Sequence, residues 1–321
     1  MAKNFDNRDM LVEILSDLEF HDGSHLGQRL NMSRQGVWKI LQKIQAQGIE
    51  IESCKGRGYR LKHPLYLLNQ KKIAQGLKWL SKDVVVLESV DSSNRYMNKI
   101  EMKPKLVLAE TQFDGQGRMG RRWYSPFAQN IYMSLHYKFQ KEVSLMHGVS
   151  LACAVALIRA IEKILPFLEN KPLIKWPNDI LYQNKKLAGI LIDLQADANG
   201  SCEVVIGIGL NVNMHTAPSA MISYPWTSLA QITGKDLDRN AVVHTLVEQL
   251  MAEMDIFQQQ GFEPFCKAYS QYDALQGNLV TLKHHQQAVK GIACGINEHG
   301  HLVLDINGVS KAFASGMVRS N

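Results

Sequence analysis

Two short stretches of this chain carry residue types suited to holding a ligand, one of them an anion. The first, Gly115-Gln116-Gly117-Arg118-Met119-Gly120-Arg121-Arg122, sets three glycines among three arginines. Backbone N–H groups bared by glycine, together with guanidinium forks, can close over an anion. The stretch formally matches GxGxxG, but that dinucleotide fingerprint must open directly into a helix whose N-terminus meets pyrophosphate. Trp123-Tyr124-Ser125-Pro126-Phe127 follows instead, a run hostile to a helix start, and the Lys-Ser/Thr ending of a P-loop is missing. The reading is an anion-enclosing loop. The second stretch is Lys175-Trp176-Pro177-Asn178-Asp179, followed after a bend at 182–186 by Lys186-Leu187-Ala188-Gly189. A lysine entering a buried strand beside Ala188 and Gly189 has small neighbours, which leaves room for a ligand. By residue type alone an ordinary surface hairpin fits equally well.

The elements that must hold these stretches alternate between strand and helix. Val84–Leu87, Leu106–Ala109, Ile131–Leu135, Leu173–Lys175, Ile190–Asp193 and Val204–Gly207 read as strands. Residues 93–99, 150–165 and 239–260 read as helices, and a mixed sheet covered by helices, an α+β domain, is the economical arrangement. From Tyr272 onward the chain is β-rich, with runs at 279–282, 288–293 and 302–306 punctuated by turns, which suggests a small barrel. His284-His285 and His299-Gly300-His301 have no carboxylate or cysteine at ligand spacing and read as exposed turn histidines, so no protein-held metal is expected.

The first sixty residues differ in kind. Met10, Leu11, Ile14, Leu15 and Leu18 predict a helix over 8–19, and Ser24 is placed to cap a second at His25–Leu30. Asn31-Met32 makes a tight turn, and Ser33 caps a third helix with Val37, Ile40, Leu41 and Ile44 on one face. Strands at 49–52 and 59–61 then flank Lys55-Gly56-Arg57-Gly58 as a hairpin wing. This is a winged helix-turn-helix. Residues 1–22 hold two basic side chains against six acidic ones, whereas 29–62 hold eight against two. A protein-interaction module is the competing reading. Basic residues on both the third helix and the wing tip favour DNA instead. Ser33, Arg34, Gln35 and Lys39 are candidates for base edges or phosphates, Lys55 and Arg57 for phosphates, while Trp38 is compatible with packing or contact.

The 321 residues are 45% hydrophobic, enough for several cored domains, and the expected boundaries are 1–63, 64–270 and 271–321. The start lacks an apolar segment of the secretory kind, and the longest apolar run, near 149–158, is too short to span a bilayer. Five scattered cysteines without a CxxC pair suit reduced thiols. A cytoplasmic protein without membrane contact is the expectation.

Further residues complete a pattern: Ser92-Ser93-Asn94, Gln112, Trp123-Tyr124-Ser125-Pro126, Lys186 to Leu191, and Gly207-Ile208-Gly209-Leu210-Asn211-Val212-Asn213. With the two stretches above, and in this order, they resemble the biotin protein ligases, specifically the bifunctional class that doubles as biotin operon repressor. The resemblance covers nearly the whole chain. It implies a class II synthetase-like catalytic domain and an SH3-like C-terminal barrel. It also implies two steps: biotin carboxylate attacks the α-phosphate of ATP to give biotinoyl-5′-AMP, and a lysine of a biotin carboxyl carrier protein, an acetyl-CoA carboxylase subunit, then displaces AMP. Bringing two anions together calls for cations, for which Arg118, Arg121, Lys186 and Mg²⁺ are the candidates. Lys186 and Arg118 are the expected catalytic pair. Ser92, Ser93, Asn94, Gln112, Gly115, Gln116, Gly117, Arg118, Lys186 and Gly189 are expected around biotin, with Ser92 and Gln112 matching the ureido ring. Arg118, Arg121, Asn178, Asp179, Asn211 and Trp226 are expected around the adenylate. The family also implies a homodimer when biotinoyl-AMP is bound, reading operator DNA. Gln116 and Met119 depart from the basic residues often found there. A ligand-sensing regulator without ligase activity and a lipoate-type ligase are the alternatives; the polar pair Ser92 and Gln112 suits a dithiolane poorly.

Overall fold

A computed structural model describes residues 7–196, 199–222, 224–284 and 287–320. Three helices open the chain: α1 (Asn7–Leu15), α2 (Gly23–Arg29) and α3 (Arg34–Ala46). Strands β1 (Ile51–Cys54) and β2 (Gly58–Leu61) follow, paired antiparallel as the wing. The α2 cap lies two residues earlier than Ser24: the Asp22 carboxylate accepts from the Ser24 and His25 amides at 2.8 and 3.2 Å. One acceptor thereby satisfies two otherwise free N–H groups. Ser33 caps α3 as expected, accepting from the Gly36 amide at 3.1 Å. α1 is shorter than its periodicity suggests, and Leu18, three residues on, has φ 66°. Leu11, Leu15, Leu26, Val37, Leu41, Ile44 and Leu61 form the core of this domain. That core also takes in Leu65, Phe127 and Ala128 from beyond the expected boundary. Arg8 reinforces the contact by pairing with Glu88 while its guanidinium lies 5.5 Å over the Phe127 ring.

The central part runs α4 (Gln70–Gly76), β3 (Val84–Val90), α5 (Ser93–Lys99), β4 (Leu106–Gln112) and β5 (Ile131–Phe139). It continues with α6 (Val149–Ile164), β6 (Leu173–Lys175), β7 (Asp179–Tyr182), β8 (Lys185–Ala196) and β9 (Cys202–Leu210), then α7 (Leu229–Thr233), α8 (Arg239–Gln260) and α9 (Glu263–Ser270). The seven-stranded sheet has the order β3-β4-β5-β9-β8-β7-β6. β3 and β4 pair in parallel across α5, and the other neighbours are antiparallel. It is the mixed α+β sheet anticipated from the sequence, with longer strands, since β8 and β9 pair from Ala188↔Leu210 to Ala196↔Cys202. α6 is buried along most of its length against α8 and the sheet, as its apolar run requires. Among the described residues no helix is long and apolar enough to cross a membrane.

One buried ion pair ties this part together. The Arg239 guanidinium, fully buried at the start of α8, donates to Glu110 Oε2 at 2.5 Å and to the Tyr66 and Asn130 carbonyls at 2.9 Å each. Glu110 Oε1 accepts from the Leu68 amide at 2.6 Å. All three partners of the cation are oxygen acceptors, the arrangement a desolvated guanidinium needs.

The last part holds β10 (Leu279–His284), β11 (Gln287–Ile296), β12 (Leu302–Ile306), β13 (Val309–Phe313) and β14 (Met317–Ser320). They form an antiparallel five-stranded sheet, order β13-β12-β11-β10-β14. Val280, Leu282, Ala293, Leu302, Leu304 and Val318 belong to the same core as the central sheet, so this segment docks without a separate interior. The Trp176 indole N–H donates to the Gly300 carbonyl at 3.0 Å across that contact. His285 lies outside the described residues.

Candidate active site

The glycine-arginine stretch is a closed loop between β4 and β5. The Trp123 amide donates to the Gly115 carbonyl at 2.8 Å and the Gly117 amide to the Arg121 carbonyl at 2.6 Å, which pinches the stretch into a lobe. A turn at Arg118–Gly120 forms its tip, with Met119 at φ 58° and Gly120 at φ 70°. Two successive left-handed residues explain the glycine at 120. The lobe is anchored by Asp114, whose carboxylate meets Arg95 at 2.6 Å and Arg122 at 3.5 Å. The Arg95 hydrogen bond, above all, holds that carboxyl below its ordinary pKa.

Beneath the lobe lies a cleft of about 640 Å³, open to solvent, floored by β8 and β9. Its floor is shaped by glycine. A Cβ at Gly189 would stand 3.0 Å from the Trp123 ring, and one at Gly209 would collide with the same indole. Trp123 therefore packs on β8 and β9, and its indole N–H is buried without a hydrogen-bond partner among the described residues. Lys186, early in β8, projects its ammonium over that ring at 5.1 Å and over the Tyr224 ring at 5.0 Å. Its Nζ stands 2.8 Å from Asp179 Oδ1 at the start of β7. The approach makes an ion pair but misses hydrogen-bond angles, so that oxygen is buried without a hydrogen-bond donor.

Positive charge dominates. Among the described residues that line the cleft are Arg118, Arg121, Arg122, Lys186 and one carboxylate, Asp179. Burial, with Arg121 nearby, pulls Arg118 below its ordinary pKa, and Asp179 opposes this in part. Burial likewise lowers Lys175, with Lys186, Arg121 and Arg319 adding to the effect. The Tyr224 hydroxyl is pushed up to about 12, mostly by burial. Desolvated cations outnumbering their carboxylate are a demand for an anionic ligand.

At the other end the cleft is neutral and polar. Gln112 Oε1 accepts from the Ser93 amide at 2.8 Å and its Nε2 donates to Ser125 Oγ at 3.1 Å. One N–H of that fixed amide is left over. Ser92 is 2% exposed, and its hydroxyl has no hydrogen-bond partner among the described residues. Asn94 is held rigidly: its Oδ1 accepts from the Ser134 hydroxyl at 2.6 Å and its Nδ2 donates to Asp193 Oδ2 at 3.1 Å.

Of the expected site residues, Ser92, Ser93, Asn94, Gln112, Gln116, Gly117, Arg118, Arg121, Asn178, Asp179, Lys186 and Gly189 all line this cleft. Gly115, Asn211 and Trp226 do not. Gly115 packs beneath the loop, where a Cβ would stand 2.7 Å from the Trp123 carbonyl. The Asn211 amide donates to the Thr227 carbonyl at 2.9 Å, and Trp226 bridges the Lys186 backbone, so both hold the strand that carries Lys186. The Gln116 side chain folds back to donate to the Asp114 carbonyl at 2.8 Å, leaving its main chain to face the cleft. The sequence reading missed Trp123 as the floor, Tyr224 beside Lys186, and Gly207 and Gly209 as close-approach positions. Alternate glycines in the apolar second half of strand β9 were the available signal. The candidates for DNA contact, Ser33, Arg34, Gln35, Lys39, Lys55 and Arg57, are all exposed, and so is Trp38, at 48%. Arg57 stacks 4.3 Å over Phe20.

Known proteins share this arrangement. Residues 86–211 match the Biotin/lipoate A/B protein ligase family, and residues 8–60 match an HTH domain. The bifunctional ligase/repressor BirA of Escherichia coli is 33% identical over 311 residues, covering 96% of this chain and 95% of the relative. Its Bacillus subtilis counterpart is 30% identical, covering 95% and 96%. A biotin protein ligase from Aquifex aeolicus, solved with biotin and ATP, superposes with a TM-score of 0.65 at 26% identity, covering 75% of this chain and all of that one. With cleft, loop and winged helix in place and both relatives matched almost end to end, the chain belongs to the biotin protein ligase family, in its bifunctional ligase/repressor class.

Proposed function

We infer that the chain activates biotin with ATP and transfers it to a protein lysine, and that it also represses transcription through its winged helix. The observation that carries the enzymatic half is the cluster of Lys186, Arg118 and Arg121 around one carboxylate under the loop. A biotin carboxylate oxygen attacks the α-phosphorus of ATP, pyrophosphate leaves, and biotinoyl-5′-AMP remains. The lysine amine then attacks the acyl carbonyl, AMP departs with the electron pair, and an amide results. Lys186 holds the carboxylate against the phosphate and offsets the charge that builds on the α-phosphoryl oxygens. Arg118 and the loop main chain enclose the mixed anhydride and exclude water. Ser92 and the spare Gln112 N–H face the ureido ring. Asn178 and Asp179 serve the phosphates. Mg²⁺ bound with ATP would neutralise phosphate charge, and the buried, donor-free Asp179 Oδ1 is the hard oxygen that fits it. Asn211 and Trp226 reach adenine only if the 224–228 segment opens toward the cleft.

The finer architecture belongs to the same reading: a winged helix over 1–63, a class II synthetase-like domain over 64–270, and an SH3-like barrel over 271–321. The carrier is the biotin-accepting subunit of acetyl-CoA carboxylase, in line with the names of two relatives, from Mycobacterium tuberculosis and Paracoccus denitrificans. Repression acts as a homodimer on operator DNA when biotinoyl-AMP is bound, because anion binding orders the glycine loop and completes a dimer surface. Biotin-dependent ATP–pyrophosphate exchange tests substrate and chemistry together. Exchange supported by lipoate but not biotin would overturn the substrate, and absence of exchange with both would leave a sensor. Sedimentation with a non-hydrolysable adenylate analogue tests the dimer; an unchanged oligomeric state refutes it.

A further inference from the structure

Where the winged helix meets the central domain, a second group of side chains converges that the ligase chemistry does not use. His63 ends the N-terminal domain, and His215 and Asp236 come from the loops on either side of α7. One ligand-type atom from each lies within 4.8 Å of the others. His215 Nε2 is 2.8 Å from Asp236 Oδ1, and His63 Nδ1 is 3.7 Å from Asp236 Oδ2. The two imidazoles stack, with centroids 4.1 Å apart and planes 19° from parallel. They line a cleft of their own, with Glu50 and Gln129, and share no lining residue with the active site.

We propose that His63, His215 and Asp236 form a binding site for a divalent transition metal of the zinc type, which fastens the winged helix to the catalytic domain. Two imidazoles and one carboxylate are the donor set that zinc takes with three protein ligands and one open position. Nitrogen donors select against Mg²⁺ and Ca²⁺, so this site is chemically distinct from an ATP-linked one. The Asp236 side chain is only 7% exposed, and its ion partners among the described residues are the two histidines. Among the described residues no lysine or arginine pairs with it. The imidazoles retain 42% and 35% exposure, which gives the stacked rings room to part around one ion. Glu50 stands on the same cleft, paired with Lys62, as a further oxygen on the winged-helix side. Because the ligands come from both domains, the metal fixes their relative orientation. DNA binding should respond to it, and biotin activation should not.

The test is a Co²⁺ titration of the full-length protein followed by visible absorption. One equivalent should give the ligand-field bands of a low-coordinate cobalt site, and Zn²⁺ should abolish them. His215→Ala and Asp236→Asn should each remove the bands, whereas His299→Ala should leave them intact. If either core variant misfolds, the more exposed His63→Ala serves as the third probe. Zn²⁺ should also raise the Tm of the parent chain and not of His63→Ala. Absence of the bands at one equivalent, or their persistence in His215→Ala and His63→Ala alike, overturns the proposal.

Discussion

Replacing Lys186 with methionine separates the chemistry of the cleft from its architecture. Methionine fills the space between the Trp123 and Tyr224 rings that the lysine stem occupies, so packing changes little. What is lost is one preorganised cation 2.8 Å from Asp179. At an effective dielectric of about 20, such a pair interacts by roughly 6 kcal/mol before desolvation is counted. The catalytic loss is smaller, since Arg118 still faces the reacting anions. By analogy with removing one oxyanion donor it is about 3–4 kcal/mol, or roughly 10²- to 10³-fold in rate. The stability loss follows another route: the buried Asp179 carboxyl loses its ion partner, costing about 1–3 kcal/mol. Lys186→Met should therefore depress biotin-dependent pyrophosphate exchange by at least a hundredfold and lower Tm by several degrees. Adding Asp179→Asn should recover the Tm without the exchange. Exchange within threefold of the parent in Lys186→Met would remove Lys186 from the chemistry.

Arg118→Gly should release biotinoyl-AMP and label bystander lysines on an added protein, as detected by avidin blotting; labelling confined to the carrier would remove Arg118 from retention. Gly209→Ala forces a methyl into the Trp123 indole, so the KM for biotin should rise more than tenfold while operator affinity of the apoprotein stays put. Lys55→Ala and Arg57→Ala should each flatten the salt dependence of DNA binding by about one unit of log–log slope, with Arg57→Ala also loosening Phe20. A chain beginning at Pro64 should still activate biotin, but Leu65, Phe127 and Ala128 lose their cover, so calorimetry should register a Tm several degrees lower.

Periodicity was enough to find α3, α6 and α8, because they bury long apolar faces that repeat at helical spacing, whereas the short elements α4, α7, α9, β7, β13 and β14 offer no such repeat and were not foreseen. Strand ends were harder. β8 runs on to Ala196 only because β9 lies beside it, a fact no local window contains. Lys186, Arg118 and Gln112 were legible because the residue types themselves do the chemistry. Trp123 and Tyr224 were not, since an aromatic on a glycine floor reads as ordinary core until the strands are paired. The separation of His63, His215 and Asp236 along the chain hides their meeting altogether. The boundary at 63 was set by composition, and composition is blind to Phe127 and Ala128 entering the winged-helix core.

The buried pair of Arg239 and Glu110 also orders events in time. Its members are 129 positions apart, and the cation collects the linker carbonyl of Tyr66 as well. At a synthesis rate of roughly 5–20 residues per second, Glu110 leaves the ribosome roughly 6–26 seconds before its partner. During that interval Glu110 has only the Leu68 amide of these native partners, and its ion pair is completed when α8 arrives. The winged helix has most of its core by Leu61 and is under no such delay. It can take shape early and dock late, once Arg239 draws Tyr66 and Asn130 together. The emerging chain thus presents a folded basic domain on an unfinished enzyme, and the last large helix to be made closes the join between them.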